Sequence, residues 1–209
     1  MSDLRLMIYD RTCVGPRVPV GLTTAWSAGS VLYRGLRRID ATFGATSWKE
    51  ALEWLATYEV SRRIAEIQYW GHGRWGRVMI DKDPFDASAL SAASPLAANV
   101  AALRERLVPG GEALVWLRTC EAFGATAGLD FAQRLADGLG ARVAGHTHII
   151  GALQSGLRAL RPGNAPNWTP EEGIAEGTPD APKRAHESGV LRPRTITCFT
   201  GEVPASWFA

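Results

Sequence analysis

Ile64-Ala65-Glu66-Ile67-Gln68-Tyr69-Trp70 runs straight into Gly71-His72-Gly73, and this junction decides how the chain is read. The first seven residues have the apolar character of a buried strand, and the run stops at a residue capable of acid–base chemistry. A second junction repeats the design. Ala113-Leu114-Val115-Trp116-Leu117 runs into Arg118-Thr119-Cys120-Glu121, so a nucleophile stands where the imidazole stood. In an open α/β sheet the carboxyl ends of the strands form the ligand crevice. Two strands that deliver a His and a Cys to that edge can bring them together across it.

Outward from these junctions, Leu4 to Tyr9 reads as a first strand, followed by a loop marked by Gly15-Pro16 and Pro19. Ser30 to Ile39 reads as a second strand or a hairpin. Ser47-Trp48-Lys49-Glu50 fits a capping box, with Ser47 as N-cap and Glu50 reaching back to a free amide. Trp48, Leu52, Leu55 and Ala56 then follow at helical spacing, which predicts a helix to about Glu59. Arg77 to Asp81 is a short strand, and Pro95 to Leu107 a second helix with Pro95 in its first turn. Ala127 to Leu139 is a third helix with Phe131, Leu135 and Leu139 on one stripe, closed by Gly140 in a left-handed cap. Arg142 to Ile150 is a fifth strand and Val190 to Phe199 a sixth. The Pro-, Gly-, Asn- and Glu-rich stretch from Arg161 to Ser188 reads as a long loop. The alternation of strands and helices predicts an α/β three-layer sandwich: a mostly parallel sheet of about six strands with helices on both faces.

The 209 residues are expected to form a single domain, 1–209. A formal net charge of +2, with no polybasic run, gives no electrostatic case for nucleic acid or an anionic membrane as partner. No stretch reaches the ~18 apolar residues of a membrane span, and Met1-Ser2-Asp3-Leu4-Arg5 lacks the design of a signal peptide. Three cysteines at unrelated spacings do not make a disulfide framework. The expectation is a reducing, cytoplasmic compartment.

The chemistry of the two junctions is that of an assisted thiol. A free thiol is mostly protonated at neutral pH, so a catalytic Cys120 needs a base, and His72 could act as general base or general acid. Gly71 and Gly73 let the backbone approach a substrate closely, and the Gly73 amide could point at a developing oxyanion.

An apolar strand ending in His-Gly, followed after about fifty residues by an apolar strand ending in Cys, resembles the caspase-type cysteine peptidases (clan CD). That group includes caspases, metacaspases, legumain, gingipains and the bacterial CHAT domains. His72 and Cys120 are 48 positions apart. The run Leu117-Arg118-Thr119-Cys120-Glu121-Ala122-Phe123-Gly124 is nearest to the CHAT-like form, while the caspase signature Gln-Ala-Cys is absent. The likeness covers roughly residues 64 to 150. It implies a caspase-like fold and a cysteine endopeptidase with a His72–Cys120 dyad, an oxyanion site from the amides of Gly73 and Cys120, a peptide or protein substrate and no cofactor. In this family the residue two before the Cys lines the primary specificity pocket. Arg118 in that place would favour an acidic side chain before the scissile bond, through a bidentate pair. Glu121, His146 and His148 join Arg118 as expected substrate-binding residues.

Two other classes compete. One is a catalytically inactive interaction module on the same fold. The other is a metal-dependent hydrolase, because His146-Thr147-His148 places two imidazoles on one side of a strand. Cys13 and Cys198 read as packed thiols, and Arg118 could instead pair structurally with Glu121.

Overall fold

The computed structural model describes residues 2–15 and 21–208; Pro16 and Pro19 of the first expected loop lie outside them. Six strands form the main sheet. They are β1 (Leu4–Asp10), β2 (Ala41–Ala45), β3 (Ile64–Trp70), β4 (Leu114–Arg118), β5 (Arg142–His146) and β6 (Leu157–Leu160). Helix α1 (Leu22–Gly35) lies between β1 and β2, α2 (Trp48–Thr57) between β2 and β3, α3 (Ala97–Arg106) between β3 and β4, and α4 (Ala125–Leu139) between β4 and β5. The strand order is β6-β5-β4-β3-β1-β2. Every neighbouring pair is parallel except β5 and β6, which run antiparallel. This is the expected α/β sandwich. Among the described residues no helix is long and apolar enough to cross a membrane.

Alternation along the strands builds two different faces. On β3, Ile67 and Tyr69 join a large apolar cluster with Leu6 and Ile8 of β1, Val115 and Leu117 of β4, and Trp48, Leu103 and Phe131 from α2, α3 and α4. The intervening side chains point the other way. Met7 and Tyr33 pack there beneath α1, with Trp70 against them. Leu114, Trp116, Ala144 and Leu157 are covered by the C-terminal stretch, through Ile196, Val203, Trp207 and Phe208.

Several helix ends follow from local chemistry. Ser47 Oγ accepts the Glu50 amide at 3.2 Å. The Glu50 carboxylate reaches one residue beyond the simple capping box, taking the amide and hydroxyl of Thr46, each at 2.7 Å. Gly140 ends α4 at φ 60°, ψ 37°, a conformation that costs glycine nothing.

Four expectations are corrected. Ser30 to Ile39 belongs mostly to α1, because Trp26, Ser30 and Tyr33 recur at helical spacing and Tyr33 is buried beneath the helix; strand propensity in Val31-Leu32-Tyr33 gives way to packing. The strand of that region is β2, an edge strand whose Ala-Thr-Phe-Gly-Ala carries no run of branched apolar residues to signal it. The fifth strand stops at His146, and the sixth of the sheet is Leu157–Leu160, not Val190 to Phe199. From that last stretch only Ile196–Thr197 pairs, with Leu153–Gln154 outside the main sheet. The Arg161–Ser188 stretch is a folded excursion. It carries a hairpin, Ile174–Thr178 with Ala181–Ala185, and buries Trp168, whose ring stacks on Phe123 and whose Nε1 donates to the Phe123 carbonyl at 3.0 Å.

Candidate functional site

The order of strands reverses between β1 and β3, since the chain builds β2 on one side of β1 and β3 on the other. Ligands of open α/β sheets bind at such a switch point, outside the carboxyl ends of the strands. A cavity of about 390 Å³ opens there, within the range of small-ligand and side-chain pockets. Its walls come from α1, from the end of β3 through Trp70, Gly71 and His72, from Arg118 at the end of β4 and Cys120 beyond it, and from Ile150, Ala152 and Gln154. His72 and Cys120 therefore share one cavity.

Each is delivered by a defined piece of backbone. His72 opens a short strand, His72–Arg74, that pairs with Arg77–Ile80 across Trp75-Gly76. Both turn residues have positive φ, 28° and 80°, as a tight hairpin of this hand requires. Gly73 has no room for a side chain. A Cβ there would lie 2.4 Å from Thr119 Oγ1 and 2.6 Å from the Cys120 carbonyl oxygen, so the His-Gly strand end is pressed directly onto the Thr-Cys strand end. Beyond β4, the Glu121 amide donates to the His148 carbonyl and the Phe123 amide to the His146 carbonyl, each at 3.0 Å. These bonds carry the β4–β5 pairing past the strands and fix the turn bearing Cys120. Glu121 sits in it at φ 35°, a strained conformation for a residue with a side chain.

The imidazole and the thiol are not hydrogen-bonded to each other. His72 is exposed, with its Nε2 3.3 Å from the Sγ of Cys13 and its ring edge-on to Trp26 at 5.7 Å. Cys120 Sγ instead accepts the Ile150 amide at 3.5 Å. Burial pushes the Cys120 thiol up from its ordinary value, more than the Ile150 amide holds it down. Cys13, expected only to pack, is the residue that sequence reasoning missed. Asp10 at the end of β1 accepts both the amide and the hydroxyl of Thr12, at 2.8 and 2.7 Å, a local turn that aims the next residue at His72. Burial, and then the charge of Asp10, raise the Cys13 thiol as well.

Arg118 lies under the cavity and is 3% exposed. Its Nε and Nη2 donate to Gln154 Oε1 at 3.2 and 3.0 Å, Nη1 donates to the Tyr33 hydroxyl at 2.7 Å and the Thr200 carbonyl at 3.1 Å, and Nη2 also reaches the Thr197 and Cys198 carbonyls. The guanidinium sits over the Trp116 ring at 4.3 Å and the Trp70 ring at 5.0 Å. Among the described residues it has no carboxylate partner, so it is not paired with Glu121. The Glu121 carboxyl, half buried and raised by that burial, leaves Oε2 without a hydrogen bond.

Glu121, His146 and His148 do not line the cavity. His146 is fully buried, its Nδ1 bonded to the Ser155 carbonyl at 3.0 Å and its Nε2 unpartnered; burial pushes its pKa down to about 3. His148 lies past the end of β5 and bonds Thr147 Oγ1 at 2.9 Å, with burial lowering it to about 4. The strand ends at His146, so His148 lies beyond the alternation from which the one-sided spacing was expected. Among the described residues no group of three or more His, Cys, Asp or Glu side chains is placed to hold a metal ion. Cys198 contributes its backbone carbonyl to Arg118 and the Tyr33 hydroxyl.

No protein-family model matches this chain, and no curated protein matches it in sequence.

Proposed function

We propose that this protein is a cysteine endopeptidase in which Cys120 attacks the substrate carbonyl and His72 moves the proton. The observation that carries the reading is that both side chains line one cavity at the topological switch of the sheet, with Gly73 packed on the Thr119 side chain and the Cys120 carbonyl. In the first step the Cys120 sulfur bonds to the scissile carbonyl carbon while His72 takes the thiol proton. The tetrahedral oxyanion is steadied by the amides of Gly73 and Cys120. As the C–N bond breaks, His72 hands the proton to the leaving amine. Water, activated by the same imidazole, then releases the acyl group. Since burial raises the Cys120 thiol, the thiolate forms as substrate arrives and is not held ready beforehand. For this to happen His72 must exchange its contact with Cys13 for one with Cys120.

That contact favours one second reading, in which Cys13 is the thiol that His72 activates. Labelling with a thiol-directed peptide probe, followed by mass mapping, separates the two. The expected result is modification of Cys120, at least ten-fold slower in His72→Ala and unaffected by Cys13→Ser. Modification of Cys13 that depends on His72 would transfer the role to it. Labelling indifferent to His72 would leave a peptide-binding module without catalysis.

A further inference from the structure

We infer that the cavity beside Cys120 receives a large apolar side chain, preferably aromatic, from the residue whose carbonyl is attacked. The inference rests on the peptidase reading and deepens it. Three observations carry it.

The first is the wall. Leu22, Trp26 and Leu32 of α1, Trp70 of β3, Ile150 and Phe199 face the space. Leu22, Leu32 and Phe199 are 39%, 43% and 59% exposed. Apolar side chains held open to solvent around a cavity mark a surface that is completed by something apolar. Aromatic rings of the wall can pack edge or face against an incoming ring.

The second is the floor. Arg118 would recognise an acid only through free N–H groups, and its donors are already engaged by Tyr33, Gln154 and the carbonyls of residues 197, 198 and 200. Its charge is spread against those dipoles and the faces of Trp70 and Trp116. A carboxylate entering here loses its hydration and finds no unoccupied donor on that guanidinium. The guanidinium acts as a staple that fastens the C-terminal stretch to the sheet and so shapes the pocket. This weakens the acidic preference expected from sequence.

The third is size and place. About 390 Å³ accommodates one large ring, and the shared lining with His72 and Cys120 puts that ring next to the reacting carbonyl.

Two parallel measurements test it. In the first, internally quenched peptides that differ only at the residue before the scissile bond are offered to the intact protein. Phe, Tyr, Trp or Leu should be cut at least ten-fold faster than Asp, Glu, Lys or Ala, and Ala25→Trp, at an exposed position on the wall, should shift the preference to small side chains. In the second, Cys120→Ala is titrated with N-acetyl-phenylalaninamide and with N-acetyl-aspartamide, followed by the fluorescence of Trp26 and Trp70. The aromatic amide should bind at least ten-fold more tightly, and Ala25→Trp should abolish that advantage. Preference for Asp in either measurement overturns the inference and leaves the peptidase reading standing. Aromatic binding without cleavage of any peptide keeps the pocket's preference for an apolar side chain and removes the peptidase reading. No discrimination in both measurements overturns the inference.

Discussion

The two faces of the sheet are built from the same strands and do opposite work. Toward α2, α3 and α4 the side chains that β3 and β4 contribute are apolar or aromatic: Ile64, Ile67, Tyr69, Val115 and Leu117. Toward α1 and the C-terminal stretch, β3 presents Glu66, Gln68 and Trp70, linked in a line. Arg5 donates to Glu66, Gln68 donates to Glu66 at 2.6 Å, and Trp70 donates to Gln68 at 3.1 Å. The same face of β4 ends in Arg118. One face is held by non-directional burial alone; the other adds to its smaller apolar clusters directional bonds among buried polar groups, which tolerate fewer alternatives. The cavity opens on the second face. A site needs polar groups in fixed positions, and that face supplies Arg118 and Gln154 at the cavity floor.

The sharpest way to break this comparison is to remove one anchor from each face. Phe131→Ala, fully buried in the apolar cluster, should cost about 4 kcal/mol in a single cooperative urea transition. Arg118→Met should cost about 3 kcal/mol, because buried acceptors lose their donor. It should also expose the stretch after residue 195 to proteolysis at urea concentrations where the sheet persists. Equal protection of that stretch in both variants would mean that the staple does not hold the second face.

A smaller substitution probes where the strand ends touch. Gly73→Ala forces a methyl against Thr119 and the Cys120 carbonyl, and should cost about 2 kcal/mol and slow probe labelling of Cys120. Full stability in Gly73→Ala would show the contact to be loose and weaken the case for a shared site.

Acid sharpens the difference further, since the buried histidines lie outside the apolar cluster. His146 and His148 titrate at about 3 and about 4 when folded, against 6.5 when unfolded. The unfolded chain binds their protons first, so the stability of the neutral buried rings is complete above pH 6.5 and is lost as pH falls toward those lower values. As pH falls from 6.5 to 5, the slope that each histidine contributes should rise from about 0.7 to about 1.3 kcal/mol per pH unit. Urea midpoints for the wild type and His148→Gln measure it, and an unaltered slope in the variant would show that His148 charges freely in the folded state.

Much of this architecture is legible in the chain. Ile64–Trp70, the Ser47 cap, the Phe131–Leu135–Leu139 stripe and Gly140 are local signals, and each holds because tertiary packing agrees with it. The strands after β5 were misjudged for the reverse reason. Leu157–Leu160 pairs only because β5 offers an open edge, and Ile196–Thr197 is tied down by the bond of Arg118 to Thr197, 79 positions later. The sequence offers His146 and His148 as side-chain ligands, yet at the turn of Cys120 they act through their carbonyls, and backbone groups leave no mark in a sequence.

By itself the sequence determined the elements whose hydrophobic period and caps are local: four of the five parallel strands, three of the four helices, and the arrival of His72 and Cys120 at strand ends. Tertiary structure alone decided that α1 covers one face, that Cys13 meets His72, and that Arg118 turns its donors inward onto the C-terminal stretch. Those outcomes depend on contacts between distant residues, where the free energy of a buried hydrogen bond or a filled cavity exists only after the chain has closed around it.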